Sequence, residues 1–265
     1  MAASSPMTTG RFIETVAASG LVDEASRPAF EAIVSSWVGS DAPVDRRLLD
    51  ALADASIVTP WQASQLLKGR YKGFFLGKYR LLRLLGTGGM SSVYLAEHAT
   101  LRHLVAIKVL PVKRAEGTSF LERFQREARA SARLNHPNLA RVSDIDSFGD
   151  VHFMVMEYVD GVDLHARVKN EGPLPVREAV DLARQAALGL DYAHQEGFVH
   201  RDVKPANMIL DRRGTLKILD LGLALPSAEE DRLASLTHEH DEQVLGTADY
   251  LAPEQAHDSH TADKR

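Results

Sequence analysis

The run His200-Arg201-Asp202-Val203-Lys204-Pro205-Ala206-Asn207, followed by Asp220-Leu221-Gly222, constrains this chain more than any other feature. It brings an acid able to receive a hydroxyl proton close in sequence to two groups whose oxygens can hold Mg²⁺. A single charged triplet of this kind is most often a solvated loop. Here the polar residues sit between apolar runs, Gly197-Phe198-Val199 before and Met208-Ile209-Leu210 after, and Leu216-Lys217-Ile218-Leu219 then delivers Asp220. Charged residues held at fixed offsets between short expected strands point to a site.

The length, 265 residues, suits one large domain or one large and one small. An apolar fraction of 45% and a charged fraction of 25% are those of a globular protein. A net charge of −5 gives no reason to expect nucleic acid as a partner. No cysteine is present, which removes disulfides and thiolate metal sites and agrees with a cytoplasmic location. No run of about 18 apolar residues suggests a membrane segment in this chain, and an anchor beyond residue 265 stays open.

Residues 1–70 read as a small helical region. Phe12, Ile13, Val16 and Ala17 form one apolar face, ended at Gly20; Phe30, Ile33, Val34 and Trp37 form a second; Leu48, Leu49, Leu52 and Ala53 form a third. A fourth helix has a clear start, with Thr59 as N-cap, Pro60 at the first helical position and Gln62 closing a capping box. Gly69 would stop it. No catalytic constellation is visible there, and residues 71–78 read as a linker.

From Tyr79 the pattern shortens into strands at 79–85, 92–97 and 104–109, a helix at 120–134, and strands at 139–144 and 151–157. A long helix follows, with Ala179, Leu182, Ala183, Ala186 and Leu190 expected on one face. Strands first and helices later indicate an α+β class with two lobes rather than a doubly wound sheet.

Leu85-Gly86-Thr87-Gly88-Gly89-Met90-Ser91-Ser92-Val93 is a Gly-rich turn between two expected strands. Such turns are mostly plain hairpins, yet glycine also lets backbone N–H groups come close to phosphate oxygens. A P-loop is excluded because no Lys-Ser or Lys-Thr follows the last glycine. A dinucleotide fold is excluded because a strand, not a helix, comes next. Val105-Ala106-Ile107-Lys108 ends a strand on a lysine, and Glu127 on the following helix could pair with it. An exposed pair of that kind is worth only about 0–1 kcal/mol, so holding a polyphosphate explains it better than stability does.

With these motifs in order, and with Ala252-Pro253-Glu254 beyond them, residues 76–265 resemble a bacterial serine/threonine protein kinase of the eukaryotic-like (Hanks) type. The resemblance implies ATP and Mg²⁺ as cofactors and Ser/Thr-bearing proteins as substrates in bacterial signalling. It implies that the turn residues Gly86, Thr87, Gly88 and Gly89 cover phosphates, while Leu85, Val93, Ala106 and Ile209 enclose adenine before a Met156 gatekeeper. Backbone groups of Glu157 and Val159 would bind the base edge and Asp163 the ribose. Lys108 and Glu127 would form the phosphate-positioning pair, Asp202 the base and Lys204 the γ-phosphate cation, and Asn207 and Asp220 would hold Mg²⁺. Core packing explains the apolar members of this set equally well. Lys204, two residues past Asp202, marks the serine/threonine branch.

Ser91 and Leu221 depart mildly from the family pattern. In the family a buried helix follows at about residue 265, so the resemblance implies a kinase domain at 79–265 without the lower C-lobe. The alternative reading is a truncated, catalytically silent module that binds nucleotide or a partner. Ser235 and Thr237 are the expected activating phosphorylation sites, with Arg201 and Arg123 as phosphate ligands.

Overall fold

The computed structural model describes residues 7–37, 41–87, 91–110, 118–219, 250, 252 and 253. The chain divides into two compact units, Met1–Thr87 with Ser92–Val105, and Gly88–Ser91 with Ala106–Arg265.

The first unit begins with four helices: α1 (Thr9–Ala18), α2 (Arg27–Val34), α3 (Arg46–Asp54) and α4 (Pro60–Leu66). Each forms where the sequence reading places an apolar face. Phe12, Ile13 and Val16 of α1, Phe30 and Val34 of α2, and Leu48 and Leu52 of α3 are buried in one cluster, while Ala17 is exposed. Gly20 stands at φ +75° just past α1, a conformation that glycine adopts without a Cβ penalty. The α4 capping box forms as expected: Thr59 Oγ1 accepts from Gln62 N at 3.2 Å and Gln62 Oε1 accepts from Thr59 N at 2.8 Å.

Three strands follow side by side, β1 (Phe75–Leu76), β2 (Tyr79–Thr87) and β3 (Ser92–His98), all antiparallel. Residues 71–78, expected as a linker, therefore contain a strand. Phe74 is 2% exposed and belongs to the helical cluster, with Phe75 packed against it. Two aromatic side chains between glycines and lysines found their cover on the helices, which sequence spacing does not reveal. The β2–β3 register shifts twice, between Leu81 and Arg83 and between Leu84 and Gly86. Such bulges bend a strand and raise its twist.

In the second unit β4 (Leu104–Val109, whose first two residues belong to the first unit), β6 (Val151–Glu157) and β5 (Val142–Phe148) are neighbours in that order. Helix α5 (Thr118–Ala132) lies between β4 and β5 in sequence and buries Phe124 and Ala128. Next come β7 (Gly161–Asp163), α6 (Leu164–Glu171), α7 (Val176–Gln195), a 3₁₀ turn (Pro205–Asn207), β8 (Met208–Asp211) and β9 (Leu216–Ile218). Strands β7, β8 and β9 form a small antiparallel sheet. Leu164, Leu182, Ala186, Ala193, Phe198, Leu216 and Ile218 share its core.

Three expectations are corrected here. Helix α7 buries Leu182, Gln185, Ala186, Gly189 and Ala193, whereas Ala179 and Ala183 are exposed. The stripe was misplaced because it includes a polar glutamine. The segment 197–199 is not a strand, so the loop carrying Asp202 runs from the end of α7 to β8. Strand β5 begins at Val142, and Leu139 makes only an isolated bridge to Ile218. The α+β class itself is borne out.

Candidate active site

Asp202 sits at the centre of the loop between α7 and β8, half-buried. Lys204 Nζ lies 3.0 Å from its Oδ1 and 2.8 Å from its Oδ2. Asn207 Nδ2 donates to Asp202 Oδ2 at 2.8 Å and to Asp202 O at 2.9 Å. The 3₁₀ turn makes this possible: Pro205 occupies its first position, where no N–H is needed, and Asn207 N donates to Lys204 O at 2.9 Å. The sequence Asp-x-Lys-x-x-Asn thus closes into one knot of side chains around a single carboxylate.

His200 anchors the knot from behind and is 1% exposed. Asp202 N donates to His200 Nδ1 at 3.2 Å, so Nδ1 is unprotonated and Nε2 carries the hydrogen. That Nε2 lies 3.0 Å from Leu219 O and donates to it. Leu219 N in turn donates to Asn207 O at 2.8 Å. Leu219 is therefore held from both sides by the loop, immediately before Asp220. Arg201, between His200 and Asp202, has φ +59°, left-handed backbone that costs a non-glycine residue about 1–3 kcal/mol. Strain of this kind persists where surrounding bonds over-determine the backbone, and here they do.

Asp163 and Ile209 face each other across β7 and β8. Asp163 also caps α6, accepting from Ala166 N at 2.8 Å. Gly161, two residues earlier, runs so close to β8 that a Cβ there would collide with the Leu210 carbonyl. Met156 and Val159 are buried, 8% exposed each, and Ala106 is 6% exposed. The Glu157 amide donates to Arg141 O at 2.8 Å. Its carboxylate meets Lys217 Nζ at 2.9 Å. Lys108 is half-buried on β4.

In the first unit Gly86 pairs with Val93 and Thr87 with Ser92, so these flanking residues of the Gly-rich stretch end the β2–β3 ladder. Leu85 is exposed at 36% and Val93 is half-buried. Gly88, Gly89, Asp220, Ser235, Thr237 and the side chains of Arg123 and Glu127 lie outside the described residues, so the Lys108–Glu127 pair is not among the observed contacts.

Sequence reasoning missed a buried polar network behind this site. Gln185 Oε1 accepts from Leu216 N at 2.8 Å and from Asn138 Nδ2 at 3.1 Å. Gln185 Nε2 donates to Gly214 O at 3.1 Å and to Asp181 Oδ2 at 2.9 Å, and Asn138 Nδ2 also donates to Leu216 O at 2.8 Å. Ile218 N and Ala140 N complete the join, donating to Asn138 O and Ile218 O at 2.8 and 2.9 Å. These bonds dock β9, which leads to Asp220, onto α7 and the 136–140 loop. Its available signal was a glutamine inside an apolar helical stripe.

The protein kinase domain family matches residues 79–264. The chain is 41% identical over 180 residues to serine/threonine-protein kinase PrkC of Bacillus subtilis, covering 68% of this chain and 27% of that protein. It is 42% identical over 183 residues to serine/threonine-protein kinase PknB of Mycobacterium tuberculosis, covering 68% and 29%. It thus spans little more than a quarter of the length of these relatives. The kinase domain of Mycobacterium tuberculosis PknI superposes with a TM-score of 0.50 at 37% identity, covering 62% of this chain and 67% of that one. With the matched stretch embracing the Asp202 knot, the glycine turn and the strands between them, this chain belongs to the protein kinase domain family.

Proposed function

We propose that the protein is an ATP- and Mg²⁺-dependent serine/threonine protein kinase. The observation that carries the reading is the knot around Asp202. An ionised carboxylate has about four lone-pair sites. Lys204 takes one on each oxygen and Asn207 one on Oδ2, which leaves Oδ1 a position for a hydroxyl hydrogen. Asp202 would align a serine or threonine hydroxyl there and receive its proton late in transfer. Lys204 would share its charge with the transferring phosphoryl group.

The donor set fits Mg²⁺, a hard cation that takes oxygen ligands. Both Nδ2 bonds of Asn207 point to Asp202, which reserves Oδ1 for a metal, and Asp220 follows the doubly held Leu219. When bound, Mg²⁺ neutralises phosphate charge. The Gly86–Gly89 turn, with Leu85 and Val93 at its base, would bind phosphates and adenine, and Lys108 with Glu127 would position the phosphates. Ala106, Ile209, Glu157 and Val159 would receive the base, and Asp163, while capping α6, the ribose. The chain would act on Ser/Thr-bearing proteins in the cytoplasm; among the described residues no helix is long and apolar enough to cross a membrane. A kinase domain at 79–265, preceded by the helical region, is the organisation we favour.

Incubation with Mg²⁺ and γ-labelled ATP, followed by phosphoamino-acid analysis of a generic protein substrate, tests this. Label on serine or threonine is expected; label on tyrosine, or none with Mg²⁺ present, overturns it.

A further inference from the structure

The capping box of α4 does more than start a helix. Each of its two side chains makes a second bond, and both bonds end on β2. Thr59 Oγ1 donates to Leu82 O at 2.5 Å, and Gln62 Nε2 donates to Leu81 O at 2.6 Å. Just before them, Ile57 O accepts from Arg80 Nη2 at 2.6 Å. Between the capping residues, Trp61 packs its ring edge-on against Tyr94 of β3 at 5.7 Å and against Phe74 at 6.1 Å. Three consecutive β2 residues, Arg80, Leu81 and Leu82, together with Tyr94 of β3, are therefore gripped by one six-residue stretch, 57–62.

The grip falls where the β2–β3 ladder is irregular. Leu82 is the extra residue of the first register shift, and Tyr94 lies opposite Leu84, where the second shift begins. A bulge residue loses its ladder partner and must find another. Here the helix supplies it. Gln62 is fully buried at 0% exposure, a polar side chain whose burial is tolerable only because its amide is engaged at both ends. Beyond the second shift lie Gly86 and Thr87, the start of the Gly-rich turn.

We propose that Thr59, Trp61 and Gln62 are positioning residues for the start of the Gly-rich turn: they fix the first bulge of β2 and the strand around the second, and so set the course of Gly86 and Thr87 toward phosphate. The helical region is then a built-in brace of the nucleotide loop. This rests on the kinase reading for its activity readout, and the test keeps the two separable.

The variants dissect the bonds atom by atom in the full protein. Thr59→Val removes the hydroxyl, and Thr59→Ser restores it. Gln62→Glu keeps an acceptor for Thr59 N but removes the donor to Leu81 O. Thr59→Val and Gln62→Glu are expected to raise the KM for ATP by about three- to tenfold, the size of one lost hydrogen bond, with kcat and the KM for protein substrate within about twofold. Thr59→Ser is expected to match wild type. Amide hydrogen exchange, which needs no turnover, is expected to quicken at 82–87 and 92–95 relative to α1 and α3. An unchanged KM for ATP in a folded variant, or exchange that quickens evenly over the whole first unit, overturns the proposal. If the wild-type protein transfers no phosphate, the kinase reading fails and the exchange result alone decides: local quickening supports the brace, and its absence overturns it.

Discussion

Asn207 and Asp have nearly the same shape, which makes Asn207→Asp an informative substitution. The variant keeps oxygens for a metal but replaces the Nδ2 donor facing Asp202 with a second acceptor. A hydrogen bond to a charged group is worth about 1.5–3 kcal/mol and two facing carboxylates repel, so kcat is expected to fall about 10- to 100-fold together with a lowered melting temperature. Steady-state phosphorylation with a parallel melt checks it; an unchanged kcat would show that Asn207 does not orient the carboxylate. Gly161 makes a different demand. Any Cβ there meets the Leu210 carbonyl, a backbone atom that cannot swing aside. Gly161→Ala is expected to cost about 1–3 kcal/mol in urea unfolding, the usual range for overpacking.

The α7–β9 join shows how one buried amide holds an element. Gln185→Leu keeps the volume but leaves the Leu216 amide and Asn138 Nδ2 short of an acceptor. Each buried group left unsatisfied costs about 1–3 kcal/mol. Gln185→Leu and Asn138→Leu are expected to be non-additive, with a coupling of about 0.5–3 kcal/mol in a double-mutant cycle. Strict additivity would mean the network is not a unit. The same contacts explain what sequence could and could not reveal. The α4 capping box was legible because its bonds span three residues and carry their own spacing signature. Its second bonds, to Leu81 and Leu82, join residues about twenty positions apart and leave no local trace. Gln185 carries no core signature in the sequence, because its polarity is legible there and the partners that satisfy it are not. At Gly189 a Cβ would sit 3.1 Å from Asn138 Cβ and 3.3 Å from Ile218 Cδ1, so close packing explains a glycine inside α7.

Across the whole chain, the motif residues stand out in the sequence as a set because phosphoryl transfer demands particular groups at particular offsets. Asp202, Lys204 and Asn207 do converge. Their tie to His200 and Leu219 was not legible, since a buried histidine and a backbone carbonyl carry no motif of their own. The relation of the helices to the strands was the larger surprise: the first unit contains both, and Phe74 is shared core. A chain cut after residue 70 would expose Phe74 and strip the helix partners from Leu81 and Leu82. Each large apolar side chain exposed costs about 1.5–3 kcal/mol, against a whole stability of about 5–15 kcal/mol. Deletion of residues 1–70 is expected to lower the melting temperature or yield insoluble protein, measured beside the uncut chain; an equally stable deletion product would show that the helices are dispensable.

The rate of phosphate transfer by Asp202→Ala, compared with wild type at saturating ATP and Mg²⁺, decides the account. Removal of the carboxylate that Lys204 and Asn207 hold is expected to slow transfer to serine or threonine by about 10²–10⁴-fold, the usual reach of a general base, with the fold intact by thermal unfolding. Transfer as fast as wild type would contradict it.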